Sequence, residues 1–157
     1  MKLTSYTDYA LRTLMDVALS PDRLITIQDI ADNHGIARNH LTKVVHQLGS
    51  LGILETVRGR NGGLRLGMPP QEINIGKVVR QTESDFHMAE CFGQQGTGCT
   101  HASGCRLKSV LAQATSAFFD VLDGVTLDML VGPDGGGKAG TLPARGAVVP
   151  IRSLKRA

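Results

Sequence analysis

Three cysteines, Cys91, Cys99 and Cys105, fall within 15 residues of a 157-residue chain. Seven residues separate the first two and five the last two, a wider spacing than the Cys-x2-Cys knuckle that grips a single tetrahedral zinc ion. An iron–sulfur cluster presents ligand positions farther apart, and a loop rich in Gly, Gln and Thr can wrap around one. The residues alone leave two alternatives open: a redox thiol switch, and free cysteines with no shared task. Three is an odd number, so the cysteines cannot all pair with one another. Clustered, unpaired cysteines suit a reducing compartment, and the cytoplasm is the expected location.

A second constellation carries a different chemistry. Arg38, Asn39, His40 and Lys43 stand at the start of a helical pattern whose apolar side is Leu41, Val44, Val45 and Leu48. Arginine can pair with guanine and asparagine with adenine when a helix N-terminus enters the major groove. Arg58 and Arg60 flank glycine in Arg58-Gly59-Arg60-Asn61-Gly62-Gly63, a tip whose missing side chains would let backbone approach a phosphate or a minor groove. Taken singly, each of these residues fits a solvated helix face or an ordinary turn. Taken in order, a short helix, a Gly-containing turn, a polar-faced helix and a basic hairpin make a winged helix-turn-helix that binds double-stranded DNA.

The elements that must position these groups can be read from periodicity. Tyr6, Ala10, Leu14 and Val17 predict a helix over residues 5–19, with Asp8, Arg12 and Asp16 on its polar side. Thr26-Ile27-Gln28-Asp29 offers a capping-box start to a short helix that ends near Gly35. Strand-like pieces 53–57 and 64–66 flank the basic tip, where Asn61-Gly62 is a hairpin signal. A short helix is expected over 75–81 and a loop over 82–104. From Cys105, the residues Leu107, Val110, Leu111, Ala114, Phe118, Val121, Leu122 and Val125 keep helical spacing for about five turns. A helix that long has to pack on something. From Val131 onward nine of 27 residues are Gly or Pro and apolar periodicity ends, which predicts a disordered tail.

The expected class is therefore mainly α. A winged helix-turn-helix occupies residues 1–81, a cysteine loop 82–104, a long dimerisation helix 105–130 and a tail 131–157. The aromatic share is only 4% with no Trp, leaving the core to aliphatic side chains. The 17 Lys and Arg exceed the 14 Asp and Glu by only three, but the excess lies wholly in residues 1–80, where ten basic residues face seven acidic ones. A polyanion should meet that half. No apolar run approaches the length of a membrane span, and Asp8, Arg12 and Asp16 interrupt any signal-peptide core, so no membrane partner is expected.

The segments Leu3-Thr4-Ser5-Tyr6-Thr7-Asp8-Tyr9-Ala10-Leu11-Arg12, Arg38-Asn39-His40-Leu41 and Arg58-Gly59-Arg60-Asn61-Gly62-Gly63 carry a resemblance, together with the three loop cysteines and Cys105-Arg106-Leu107-Lys108. Over residues 1 to about 130 the chain resembles the NsrR-type repressors, nitric-oxide sensors among the winged-helix iron–sulfur regulators that also include IscR. The resemblance implies a homodimer that crosses its long C-terminal helices, a palindromic operator and one iron–sulfur cluster per subunit, 4Fe-4S with 2Fe-2S as the alternative. It implies Cys91, Cys99 and Cys105 as ligands, with Asp8 reaching the cluster of the partner subunit as the fourth. IscR-like proteins place a His three residues after the last Cys, and Lys108 stands there instead. His87 and His101 are alternative fourth ligands, and Asp8 could equally form an i, i+4 ion pair with Arg12.

On this reading the chain is a nitric-oxide-responsive repressor and not an enzyme, and genes for nitric oxide detoxification are among those it controls. A sensor of iron–sulfur status or redox state would use the same parts. An iron–sulfur electron carrier or a thiol enzyme would need neither the basic wing nor the polar-faced helix, and no Cys-x2-Cys pair of the thiol-enzyme kind is present.

Overall fold

The computed structural model describes residues 2–92 and 105–132. Helix α1, Ser5–Ala18, begins where the Thr4 hydroxyl accepts from the Thr7 amide, and it buries Ala10, Leu14 and Val17. Helix α2, Ile27–His34, opens with a reciprocal capping box: Asp29 N–H donates to the Thr26 hydroxyl at 3.1 Å, and Thr26 N–H donates to the Asp29 carboxylate at 2.8 Å. These bonds hold the Asp29 carboxyl below the usual carboxylate range. Gly35 ends α2 at φ +63°, a left-handed conformation that costs glycine nothing. The chain then turns into α3, Arg38–Ser50, whose Leu41, Val44, Val45 and Leu48 are buried. Burying four such side chains, each worth roughly 1.5–3 kcal/mol, fixes which face of α3 is left outward.

Strands β1, Leu54–Val57, and β2, Gly63–Leu66, pair antiparallel with Leu54 opposite Leu66 and Val57 opposite Gly63. Residues 58–62 form the loop between them. Its turn is closed by the Gly62 amide donating to the Gly59 carbonyl at 3.0 Å, and Gly59 carries φ +123°. No non-glycine residue among those described has positive φ, so Asn61 does not adopt the left-handed pair of a two-residue Asn-Gly turn. Ile25 extends the hairpin by a two-way bridge to Leu64, at 2.8 and 3.3 Å. That third, one-residue strand explains Gly63, where a Cβ would stand 2.9 Å from both the Ile25 carbonyl oxygen and the Leu24 Cβ.

A 3-10 turn at Pro70–Glu72 leads to α4, Ile75–Thr82, capped by Asn74. The loop that follows contains a second 3-10 turn, Glu90–Phe92, and Cys105 is the N-cap of α5, Arg106–Asp123. The apolar period of this helix continues in the sequence through Val125, but the helix stops at Asp123. Gly124 breaks it, and residues 125–127 turn back to bond residues 73–75, with Ile75 N–H to Val125 O at 3.0 Å and Leu127 N–H to Ile73 O at 2.9 Å. Val125 and Leu127 thereby join the core, and a short α6, Leu127–Val131, packs against α1. Val131, the first residue of the expected tail, thus closes a helix, and residues 133–157 lie outside the described residues. Among the described residues no helix is long and apolar enough to cross a membrane.

Candidate nucleic-acid interface and cysteine loop

All of the residues expected to meet DNA are exposed. Arg38, Asn39, His40 and Lys43 occupy the first turn and a half of α3 on the face opposite its buried leucines and valines. Arg58, Arg60 and Asn61 lie on the wing loop. Among the described residues none of Arg38, Lys43, Arg58 and Arg60 has an acidic partner, whereas Arg65 on β2 is neutralised by Glu55 at 2.8 Å and Arg12 by Asp8 at 2.9 Å. Four cations without an acidic partner among the described residues thus stand at the α3 N-terminus and on the wing loop. Such groups meet a phosphate without first breaking an ion pair.

Helix α1 braces α3 from behind. The Tyr6 hydroxyl donates to Gln47 Oε1 at 2.6 Å and to the Lys43 carbonyl at 3.2 Å, and Gln47 in turn donates to the Gln81 carbonyl on α4. Burial pushes the Tyr6 phenol pKa up. Tyr9, one turn on, meets the His40 ring edge-on with centroids 6.2 Å apart. His40 is thus shared between the outward face and α1. Tyr6 falls on the apolar side of α1 by periodicity, which reports which way a ring points and not what its hydroxyl reaches.

The cysteine loop is described at its two ends. Cys91 sits in the 3-10 turn and Cys105 at the start of α5, both unbonded thiols and half-buried. The Lys108 ammonium on α5 lies 5.6 Å from the ring centroid of Phe92, at the other described end of the loop. Cys99 and His101 lie outside the described residues. His87 is exposed, and its amide donates to Asp85 at 3.0 Å. Asp8 is paired with Arg12, the two side chains being 46% and 48% exposed. Among the described residues no three His, Cys, Asp or Glu side chains converge as a metal site. Two free thiols at the ends of one loop are nevertheless a soft donor set, which fits an iron–sulfur group better than a hard cation.

Residues 3–133 match the Rrf2 family, described as iron-dependent transcriptional regulators. The chain belongs to that family. Over 132 residues it is 52% identical to the HTH-type transcriptional regulator NsrR of Bacillus licheniformis, covering 83% of this chain and 92% of that one. The regulator of the same name from Bacillus subtilis is also 52% identical over 132 residues, covering 83% and 90%. Among solved structures, the oxidized form of Staphylococcus aureus CymR superposes with a TM-score of 0.66 at 26% identity, covering 81% of this chain and 93% of that one. The IscR of T. potens gives 0.63 at 23% identity, covering 81% and 83%, a likeness of fold. This Rrf2 chain is thus a transcription regulator of the winged helix-turn-helix class, and DNA is the partner its family implies.

Proposed function

We propose that the chain is a nitric-oxide-responsive repressor that binds a palindromic operator as a homodimer. An iron–sulfur cluster, 4Fe-4S in preference to 2Fe-2S, would be held by Cys91, Cys99 and Cys105, with Asp8 supplied across the dimer. The observation that carries the reading is the direct seating of α1, which bears Asp8, on the recognition helix through Tyr6 and Tyr9. When bound, the cluster supplies iron that nitric oxide can ligate, and its carboxylate-held position is weaker than its thiolate-held ones. Asp8 has an alternative partner waiting, since Arg12 lies one turn away on the same helix and already reaches it at 2.9 Å. A carboxylate that changes partner pulls on α1, and α1 holds the backbone of α3 at Lys43. Arg38, Asn39, His40 and Lys43 would read base edges, while Arg58, Arg60 and Asn61 would hold the phosphates.

Dimerisation is supported by α5. Leu107, Val110, Ala114, Ala117 and Val121 follow one another at alternating steps of three and four, the seam of a helix pair. Leu107, Val110 and Val121 are 64%, 59% and 58% exposed in the single protomer, and no residue of α5 is buried. A second copy covers such a stripe. A thiol-based redox regulator is the second reading, favoured by the free Cys91 and Cys105 and by the likeness to an oxidized CymR.

Anaerobic purification with iron and sulfide analysis tests the first reading. The protein should be coloured, and Cys91→Ala, Cys99→Ala and Cys105→Ala should each lose both the colour and specific operator binding. A colourless variant that still bound its operator like the parent would defeat it in favour of cluster-independent regulation.

A further inference from the structure

Among the described residues, none in helix α5 is buried, and it is the last turns, around Phe118, Phe119 and Leu122, that pack on the core. Its direction is therefore set at its C-terminal end. There Asp123 is gripped from several sides: both of its carboxylate oxygens accept from Arg80 of α4, and its backbone carbonyl accepts from Asn74 Nδ2 at 2.8 Å. The same Asn74 side chain caps α4 through the Lys77 amide at 2.9 Å, so one residue fastens the start of α4 to the end of α5. At Gly76 a Cβ would collide with the Asp123 carboxylate, which shows how closely the two helices approach. The Arg80 guanidinium also stacks 4.0 Å over the Phe119 ring, and Phe119 meets Phe86, at the start of the cysteine loop, edge-on at 4.5 Å.

A half-exposed ion pair adds little to folding stability. What a bidentate, stacked guanidinium supplies is direction, because its planar fork fits one geometry. The leverage is large. From Asp123 to Leu107 the helix runs about 24 Å, so a tilt of about 5° at the joint moves the far end by about 2 Å. We propose that Arg80, clamped on Asp123, is the positioning residue of the α4–α5 joint, and that the angle it sets determines which half-site spacing the dimer accepts on DNA. This rests on the reading of the chain as a dimeric operator-binding regulator. Being paired with Asp123, Arg80 is not one of the free cations assigned to the interface.

The test is selection from a duplex library with a random core of about three helical turns, using the cluster-loaded dimer and its Arg80→Met variant. Methionine keeps an apolar stem over Phe119 and removes the fork. Wild type should select one half-site sequence at one centre-to-centre spacing. Arg80→Met should select the same half-site sequence, but its preference for that spacing over neighbours one base pair away should fall roughly 2- to 30-fold, the range in which residues that couple two sites without touching either ligand act. Asp123→Asn, which keeps the shape and loses one arm of the fork, should fall by less. Size-exclusion and iron content should match the parent. A dimeric Arg80→Met that selects the same spacing as sharply as wild type would overturn the proposal. So would loss of the dimer in both variants, which would make the pair a prop of assembly. Wild type that selects no paired half-sites would remove the underlying reading first, before any variant is compared.

Discussion

Arg60 offers the most quantitative handle on the DNA interface, because the wing holds both a free cation and a neutralised one. Arg60 lies exposed on the loop with no acidic neighbour among the described residues, while Arg65 is tied to Glu55 by two nitrogens at 2.8 and 2.9 Å. If Arg58 and Arg60 each neutralise one phosphate in both protomers, the wings release about four counterions and contribute about −3.6 to the log–log slope of affinity against salt. A fourfold rise in salt then weakens the wing contribution about 150-fold. Arg60→Ala removes two contacts per dimer, so that contribution should become about −1.8 and the same rise in salt should weaken it only about 12-fold. Arg65→Ala should leave the slope as it was. Fluorescence anisotropy on a mixed-sequence duplex of about four helical turns, repeated from low to high salt, measures this directly. An Arg60→Ala slope within about 0.5 of the parent's, when 1.8 is expected, would remove the phosphate role. The same shift from Arg65→Ala would show that the effect follows net charge and not contact.

Three further substitutions probe the coupling from α1. Asp8→Ala should keep a cluster held by three cysteines but shift its absorption and its reactivity toward nitric oxide, while Arg12→Ala should leave the spectrum alone. Matching, unshifted spectra for both would reduce Asp8 to a surface ion pair worth a few tenths of a kcal/mol. Tyr6→Phe deletes the hydroxyl that holds Gln47 and the Lys43 carbonyl, at a cost of about 0.5–1.5 kcal/mol. Thermal unfolding should fall by a few degrees and operator selectivity should drop with it; unchanged selectivity in a destabilised variant would leave Tyr6 a packing residue.

Local pattern explains what the sequence made legible. The steps of Leu41, Val44, Val45 and Leu48 fix the inward face of α3, and that alone turns Arg38, Asn39 and Lys43 outward. The capping box at Thr26 and the left-handed Gly35 are likewise decided within a few residues of chain. What escaped involves partners distant in sequence. Ile25 joins the wing only because Leu64 comes beside it, and Arg80 finds Asp123 across 43 positions. Val125 continues the helical period of α5 in type and spacing, yet pairing with residues 73–75 takes its backbone elsewhere. Periodicity cannot distinguish a residue that continues a helix from one that enters the core by another route. The four candidate cluster ligands remain a matter of donor chemistry, with Cys91 and Cys105 free at the ends of their loop and Asp8 on α1.

In the proposed repressor, one group both reports nitric oxide and holds the protein on DNA. Titrating nitric oxide anaerobically into the cluster-loaded protein bound to a fluorescent operator, with cluster absorbance and anisotropy read from the same cuvette, tests it directly. The two signals should fall together and be complete at the same ratio of nitric oxide to cluster, and the Cys105→Ala protein should show neither. Anisotropy that stays at its bound value after the cluster absorbance has fully bleached would show that the cluster does not hold the protein on DNA.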